Sequence, residues 1–161
     1  MRIVITGTPG VGKSKLAKFL AKKLKLKLFN EKEIAIKSNI GHFEEDELVI
    51  PIRKLEKKIK GILKKRKNVI IEGHMLCEMK LNVDLAIVIT MDPEKLQEIL
   101  EARGYGINKV LDNIFCEGIE YCKKHATRNY KNIIVLENKG DIKKLKKEAL
   151  KAIEEWKKCK K

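Results

Sequence analysis

Near its start the chain reads Gly7-Thr8-Pro9-Gly10-Val11-Gly12-Lys13-Ser14, a G-x-x-x-x-G-K-[ST] run that restricts the fold more tightly than any other feature of the sequence. Such a run has physical meaning only between a strand and a helix. Arg2-Ile3-Val4-Ile5-Thr6 precedes it as a short β-branched stretch of the kind that forms a buried strand, and Leu16, Phe19, Leu20 and Leu24 follow at helical spacing. In that setting the loop turns its backbone N–H groups inward and the new helix N-terminus adds positive dipole, so the loop is a cradle for phosphate. Gly10, Val11, Gly12, Lys13 and Ser14 are the expected nucleotide contacts. Lys13 is positioned to reach the β- and γ-phosphates, and Ser14 to offer a hydroxyl to Mg²⁺ accompanying ATP.

The remaining pattern alternates strands with helices. Leu26-Lys27-Leu28-Phe29 reads as a second strand closing a βαβ unit, with parallel pairing implied, and Val69-Ile70-Ile71, Leu85-Ala86-Ile87-Val88-Ile89 and Ile133-Ile134-Val135-Leu136 complete five. Asp92-Pro93 marks a helix start, and Arg103-Gly104-Tyr105-Gly106 ends that helix. A further helix is expected over 108–126, and a last one from Ile142 to Trp156. Leu55, Ile59, Ile62 and Leu63 give one apolar face to a helix whose other face is basic, with nine cationic residues between Arg53 and Lys67 opposed only by Glu56. Residues 30–51 carry mixed short helical signals, Gly41 and the acidic run Glu44-Glu45-Asp46-Glu47, and do not read as core. Together these predict a single domain over 1–161, a three-layer α/β/α fold around a five-stranded parallel sheet with right-handed crossovers.

Composition narrows the setting. At 161 residues the chain has the length of one domain, and no apolar run approaches the ~18 residues of a membrane helix. There is no signal-peptide pattern, so a cytoplasmic protein, a monomer or weak oligomer, is expected. Cys77, Cys116, Cys122 and Cys159 form no C-x-x-C pair, and His42, His74 and His125 are scattered, which predicts reduced structural thiols and no zinc site. The net charge of +15 comes from 32 lysines against 5 arginines, which with a single glutamine leans towards a thermophile surface, although nine asparagines run against it. The same charge permits nucleic-acid partners.

Four blocks in order carry a family resemblance: Thr6 to Ser14, Val69-Ile70-Ile71-Glu72-Gly73-His74, Leu100-Glu101-Ala102-Arg103-Gly104-Tyr105, and Asp112-Asn113-Ile114-Phe115-Cys116-Glu117. On them the chain resembles the atypical adenylate kinase family of archaea and the eukaryotic nucleus. The resemblance implies a nucleoside-monophosphate kinase that takes ATP and AMP, also hydrolyses ATP, and acts in maturation of the small ribosomal subunit through a small-subunit ribosomal protein and rRNA. It implies that residues 30–51 are the monophosphate-binding arm and residues 103–112 the lid, with Arg103 carried onto the phosphates. Lys15 would join Gly10, Gly12, Lys13 and Ser14 on the ATP phosphates, and Lys139 would lie beside the adenine. Glu72 and His74 match the family's carboxylate-x-His pair, Glu72 holding Mg²⁺ through water and His74 orienting an attacking water or capping the loop. Two positions depart from the pattern: Glu72 stands where Asp is usual, and Ile36 where an arm arginine is common, with Lys37 as the neighbouring substitute.

Two other readings follow from the residues. Asn138-Lys139-Gly140-Asp141 matches the N-K-x-D guanine-recognition pattern, but no D-x-x-G occurs to sense a γ-phosphate. The basic helix suits a ribosome-assembly ATPase whose nucleotide cycle gates binding to rRNA or a ribosomal protein, with little kinase turnover.

Overall fold

The computed structural model describes residues 1–44 and 47–159. Its elements are β1 (Arg2–Thr6), α1 (Lys13–Leu24), β2 (Lys27–Asn30), α2 (Glu31–Lys37), β3 (His42–Glu44), β4 (Glu47–Val49), α3 (Ile52–Lys65), β5 (Val69–Glu72), a 3₁₀ turn (Met75–Glu78), β6 (Leu85–Thr90), α4 (Pro93–Ala102), α5 (Ile107–Gly118), α6 (Tyr121–Asn129), β7 (Ile133–Glu137) and α7 (Ile142–Lys158). Five strands form one parallel sheet in the order β2-β5-β1-β6-β7. The second strand therefore lies in the expected sheet without touching the first. It pairs with β5, from Lys27 against Val69 to Asn30 against Glu72, and β5 stands between it and β1.

Strand period 2 divides the core. Ile3 and Ile5, Ile70, and Leu85, Ile87 and Ile89 turn to one face, where α1, α4, α5 and α7 supply Leu16, Leu20, Leu96, Leu100, Val110 and Leu145. Val4, Ile71, Ala86 and Val88 turn to the other, against Ile34, Leu55, Ile59 and Ala126 from α2, α3 and α6. Both faces are covered, which is the condition a parallel sheet requires. No described helix is long and apolar enough to cross a membrane.

Three local expectations need correction. Residues 30–51 are a helix, α2, followed by an antiparallel hairpin, with His42 opposite Val49 and Glu44 opposite Glu47. Within the acidic run, Glu45 and Asp46 lie outside the described residues. The helix expected over 108–126 is two: α5 stops at Gly118, and Glu120 adopts a left-handed conformation (φ 56°) before α6 begins. Ile114 and Tyr121 accordingly pack against opposite faces of the sheet, which a single helix cannot do. The basic helix ends at Lys65, two residues short of Lys67 in its cationic run.

Candidate active site

The phosphate cradle leaves β1 at its carboxyl end, where open parallel sheets place their ligands. Gly12 stands at the N-terminus of α1 with φ 105°, a conformation that L side chains rarely adopt, and a Cβ there would lie 3.0 Å from Asn138 Nδ2. That amide donates to the carbonyl of Val11 at 2.9 Å, so the turn after β7 is fastened to the loop. Lys139 thereby sits next to the cradle. Its ammonium is exposed, 3.6 Å from Glu137 Oε2, and its carbonyl accepts from Lys95 Nζ at 3.2 Å. Lys13 Nζ donates to the Thr8 carbonyl at 2.9 Å. Burial lowers its pKa from the ordinary lysine value, opposed first by Glu31 and then by Cys122, Glu72 and Glu117.

Glu72 ends β5 beside the loop and is buried. Its Oε1 accepts from Ser14 Oγ at 3.0 Å and from Asn30 Nδ2 at 2.6 Å, joining the ends of β2, β5 and the start of α1. A hydroxyl and a carboxylate oxygen are hard donors of the kind Mg²⁺ takes in small number while keeping water and substrate phosphates as its other ligands. Among the described residues no group of three or more His, Cys, Asp or Glu is placed to hold a metal. The donor set thus fits Mg²⁺ arriving with a nucleotide rather than a resident ion.

Two carboxylates with no assigned role in the sequence complete the floor. Glu117, at the end of α5, is buried, accepts from Thr8 Oγ1 through Oε2, and accepts from the Met91 N–H through Oε1 at 2.7 Å. Burial raises its pKa, opposed by the bonds from Thr8 and Met91 and by Lys13. It belongs to the Asp112–Glu117 block, yet a Glu on an amphipathic helix gives no sign that it turns inward. Glu31, the first residue of α2, is 3% exposed and accepts at Oε1 from the backbone N–H groups of His74 (2.7 Å) and Met75 (3.2 Å), with His74 Nδ1 standing 3.0 Å from the same oxygen. Asn30 before it caps α2, its side chain accepting from the Glu33 N–H at 3.1 Å.

Other expected site residues stand apart. Arg103 is the exposed C-terminal cap of α4; among the described residues its side chain makes no hydrogen bond or ion pair. Gly104 after it has φ 73°. Lys15 points outward on α1, and Ile36 and Lys37 are exposed, Lys37 pairing with Glu33 at 3.3 Å. Asp141 caps α7 by accepting from the N–H groups of Lys143 (2.8 Å) and Lys144 (3.1 Å), so the acidic member of the N-K-x-D match is committed to a helix end. All four cysteines are free, Cys77 and Cys122 within the core. Their thiols are hydrogen-bonded, which raises the pKa of Cys77 and lowers that of Cys122.

Residues 3–120 match the family model described as "AAA domain". An archaeal protein of Methanocaldococcus jannaschii named "Putative adenylate kinase" is 44% identical over 126 residues, which is 76% of this chain and 70% of that protein. The "Adenylate kinase isoenzyme 6 homolog" of Drosophila melanogaster is 31% identical over 159 residues, 96% of this chain and 90% of the fly protein. Among solved structures, shikimate kinase from Acinetobacter baumannii superposes with a TM-score of 0.68 at 16% identity, over 94% of this chain and 92% of that one, a likeness of fold.

Proposed function

The chain belongs to the AAA-domain family and, with its archaeal and fly relatives, to the atypical adenylate kinase family, and from that premise we propose that it transfers the γ-phosphoryl group of Mg·ATP to AMP and also releases it to water. The observation that carries this reading is the junction of Ser14, Asn30 and Glu72 beside Lys13, which gathers a cation, a hydroxyl and a carboxylate at the carboxyl ends of the strands. Phosphoryl transfer asks mainly for alignment and charge compensation. The N–H groups of Gly10, Val11 and Gly12 cradle the phosphates, Lys13 leaves the Thr8 carbonyl for the β- and γ-oxygens, and Lys15 adds charge at the rim. Mg²⁺, when bound with ATP, neutralises phosphate charge; Ser14 and, through water, Glu72 hold it. Arg103 arrives when residues 103–112 close as a lid, and Lys139 flanks the adenine. Residues 30–51 take the AMP, with Lys37 supplying a point charge in place of an arginine fork.

Product analysis of purified protein with Mg·ATP, with and without AMP, tests the reading. It predicts two ADP formed per AMP consumed, and one further ADP for each free phosphate released. Free phosphate with no consumption of AMP overturns the kinase half.

A second reading draws support from α3, where a groove of about 840 Å³ is lined by Phe29 together with Lys54, Lys57, Lys58, Lys65 and Arg66. On that reading the nucleotide cycle gates binding of small-subunit rRNA or its protein partner. Its mark is salt-dependent RNA binding that weakens when Lys57, Lys58, Lys64 and Lys65 are neutralised; unchanged binding removes it.

A further inference from the structure

The helices α4 and α5 form a hairpin with Arg103 at its tip and Glu117 at its base. The tip is loose: Arg103 and Gly104 are exposed, and Ile107, Leu111 and Phe115 turn one face of α5 to solvent. The base is fastened to the cradle at two points. A Cβ on Gly10 would lie 2.7 Å from Leu96 Cδ1 and 3.0 Å from Leu100 Cδ2, so loop and α4 touch where no larger residue fits. The second point is Glu117. Its Oε1 accepts from the N–H of Met91, one residue past β6, at 2.7 Å, and its Oε2 accepts from Thr8 Oγ1. One carboxylate thereby closes the hairpin across its foot and ties it to the phosphate loop.

Thr8 joins two functions. Its carbonyl accepts from Lys13 Nζ at 2.9 Å while its hydroxyl donates to Glu117. Both Thr8 and Glu117 are buried. From Glu117 back to Ile107, α5 runs about 15 Å at a rise of ~1.5 Å per residue. A tilt of about 5° at the base therefore moves the far end by about 1 Å, and a misplacement of that size costs a rate on the order of a hundredfold. Hydrogen bonds to a carboxylate are among the strong ones, which makes Glu117 a firm pivot beneath a mobile tip.

We propose that Glu117 is a positioning residue: by tying the base of the α4–α5 hairpin to Thr8 it seats the closed tip, so that Arg103 arrives in register with the γ-phosphoryl group held by the cradle. The proposal rests on the reading of residues 103–112 as a lid over Mg·ATP. Glu117 acts through Thr8 and through its own helix. It governs how well closure is seated and leaves binding of ATP to the loop.

The test uses the full chain in two arms. In the first, turnover with Mg·ATP and AMP is measured for Thr8→Val, which removes the hydroxyl at nearly constant volume, for Thr8→Ser, which keeps it, and for Glu117→Ala. Thr8→Val and Glu117→Ala are also combined with Arg103→Ala. Alone, each is expected to lower kcat about tenfold or more with ATP affinity within about threefold of wild type, and Thr8→Ser to keep kcat within about threefold. In the Arg103→Ala background the further loss shrinks to about twofold or less, since no arginine is left to misplace. An equal loss in both backgrounds overturns the proposal, as does a tenfold fall in ATP affinity, which would make the pair part of the cradle's own framework. Melting curves accompany each variant, and where Glu117→Ala fails to fold, Thr8→Val and Thr8→Ser decide. In the second arm, hydrogen exchange with and without a non-hydrolysable ATP analogue reads closure in the absence of turnover. The analogue is expected to slow exchange over residues 103–112 about fivefold or more in wild type and less than half as much in Thr8→Val. Equal slowing in the two removes the role of Glu117 and leaves the lid reading standing. No slowing in wild type, together with an unchanged kcat in Arg103→Ala, overturns the lid reading and this proposal with it.

Discussion

At the carboxyl ends of β1 and β5, Lys13, Glu72 and Glu117 are each held by partners from other elements, whereas α5 and the β3–β4 hairpin leave Ile107, Leu111, Phe115 and Phe43 facing solvent. Phe115 and Phe43 are 67% and 65% exposed, and among the described residues one ion pair joins helix and hairpin, Lys109 to Glu47 at 2.9 Å. The difference is one of preorganisation. In the first region polar groups are out of water and already aimed, so a phosphate meets fixed dipoles and pays little to reorganise them. In the second, polar groups are solvated and apolar ones unused, and little resists movement.

Substitutions sharpen this contrast in decreasing order of effect. Leu16→Ala, a fully buried side chain on the inner face of α1 beneath the cradle, is expected to cost about 2–5 kcal/mol in denaturant unfolding; a cost under about 1 kcal/mol would mean that the floor is not tightly packed. On the proposed reading, in which its contact forms on closure, Arg103→Ala should lower kcat about tenfold to a hundredfold with little change in ATP affinity, since among the described residues its side chain has no hydrogen bond or ion pair. A matching loss of ATP affinity would place Arg103 in the floor instead.

Glu117→Gln keeps the side chain's shape and one acceptor oxygen for the Met91 N–H, and removes the charge. Burial raises the pKa of Glu117, so the folded state binds the proton more tightly than the unfolded chain. Wild-type stability therefore declines, relative to Glu117→Gln, as pH rises from about the ordinary value of 4.5 through the raised one. Melting temperatures of both proteins from pH 4 to 7 check this, and a difference that stays flat contradicts it. At the small end, Lys109→Ala should leave Tm within about 2 °C, because the pair with Glu47 is solvent-screened. A larger drop would show that the hairpin is fastened to α5 more firmly than one exposed pair allows.

Much of the floor was legible in the sequence because its chemistry is local. The cradle's glycines, Lys13 and Ser14 lie within one loop, and the β-branched runs around it name their own strands. Asp92 announces its helix start, and its side chain accepts the N–H groups of Glu94 and Lys95. Glu31 and Glu117 were not legible as site residues, since each is one glutamate among many and its burial comes from contacts 43 and 109 residues away in the chain. The place of β2 was hidden for the same reason: pairing with β5 joins segments separated by α2, the hairpin and α3, and nothing in Leu26–Phe29 names its neighbour. The break between α5 and α6 falls at Glu120, a residue with no turn preference to reveal a left-handed conformation. Short alternation such as His42-Phe43-Glu44 is too brief to tell a hairpin from a helix turn.

The central claim is that one preorganised cradle serves both fates of the γ-phosphoryl group. Lys13→Ala, assayed with Mg·ATP for AMP-dependent ADP and for free phosphate in the same reaction, tests it most directly. Both products are expected to fall more than about a hundredfold together, with the fold retained in the melting curve. Survival of either product at near wild-type rate would contradict the claim and require a second site.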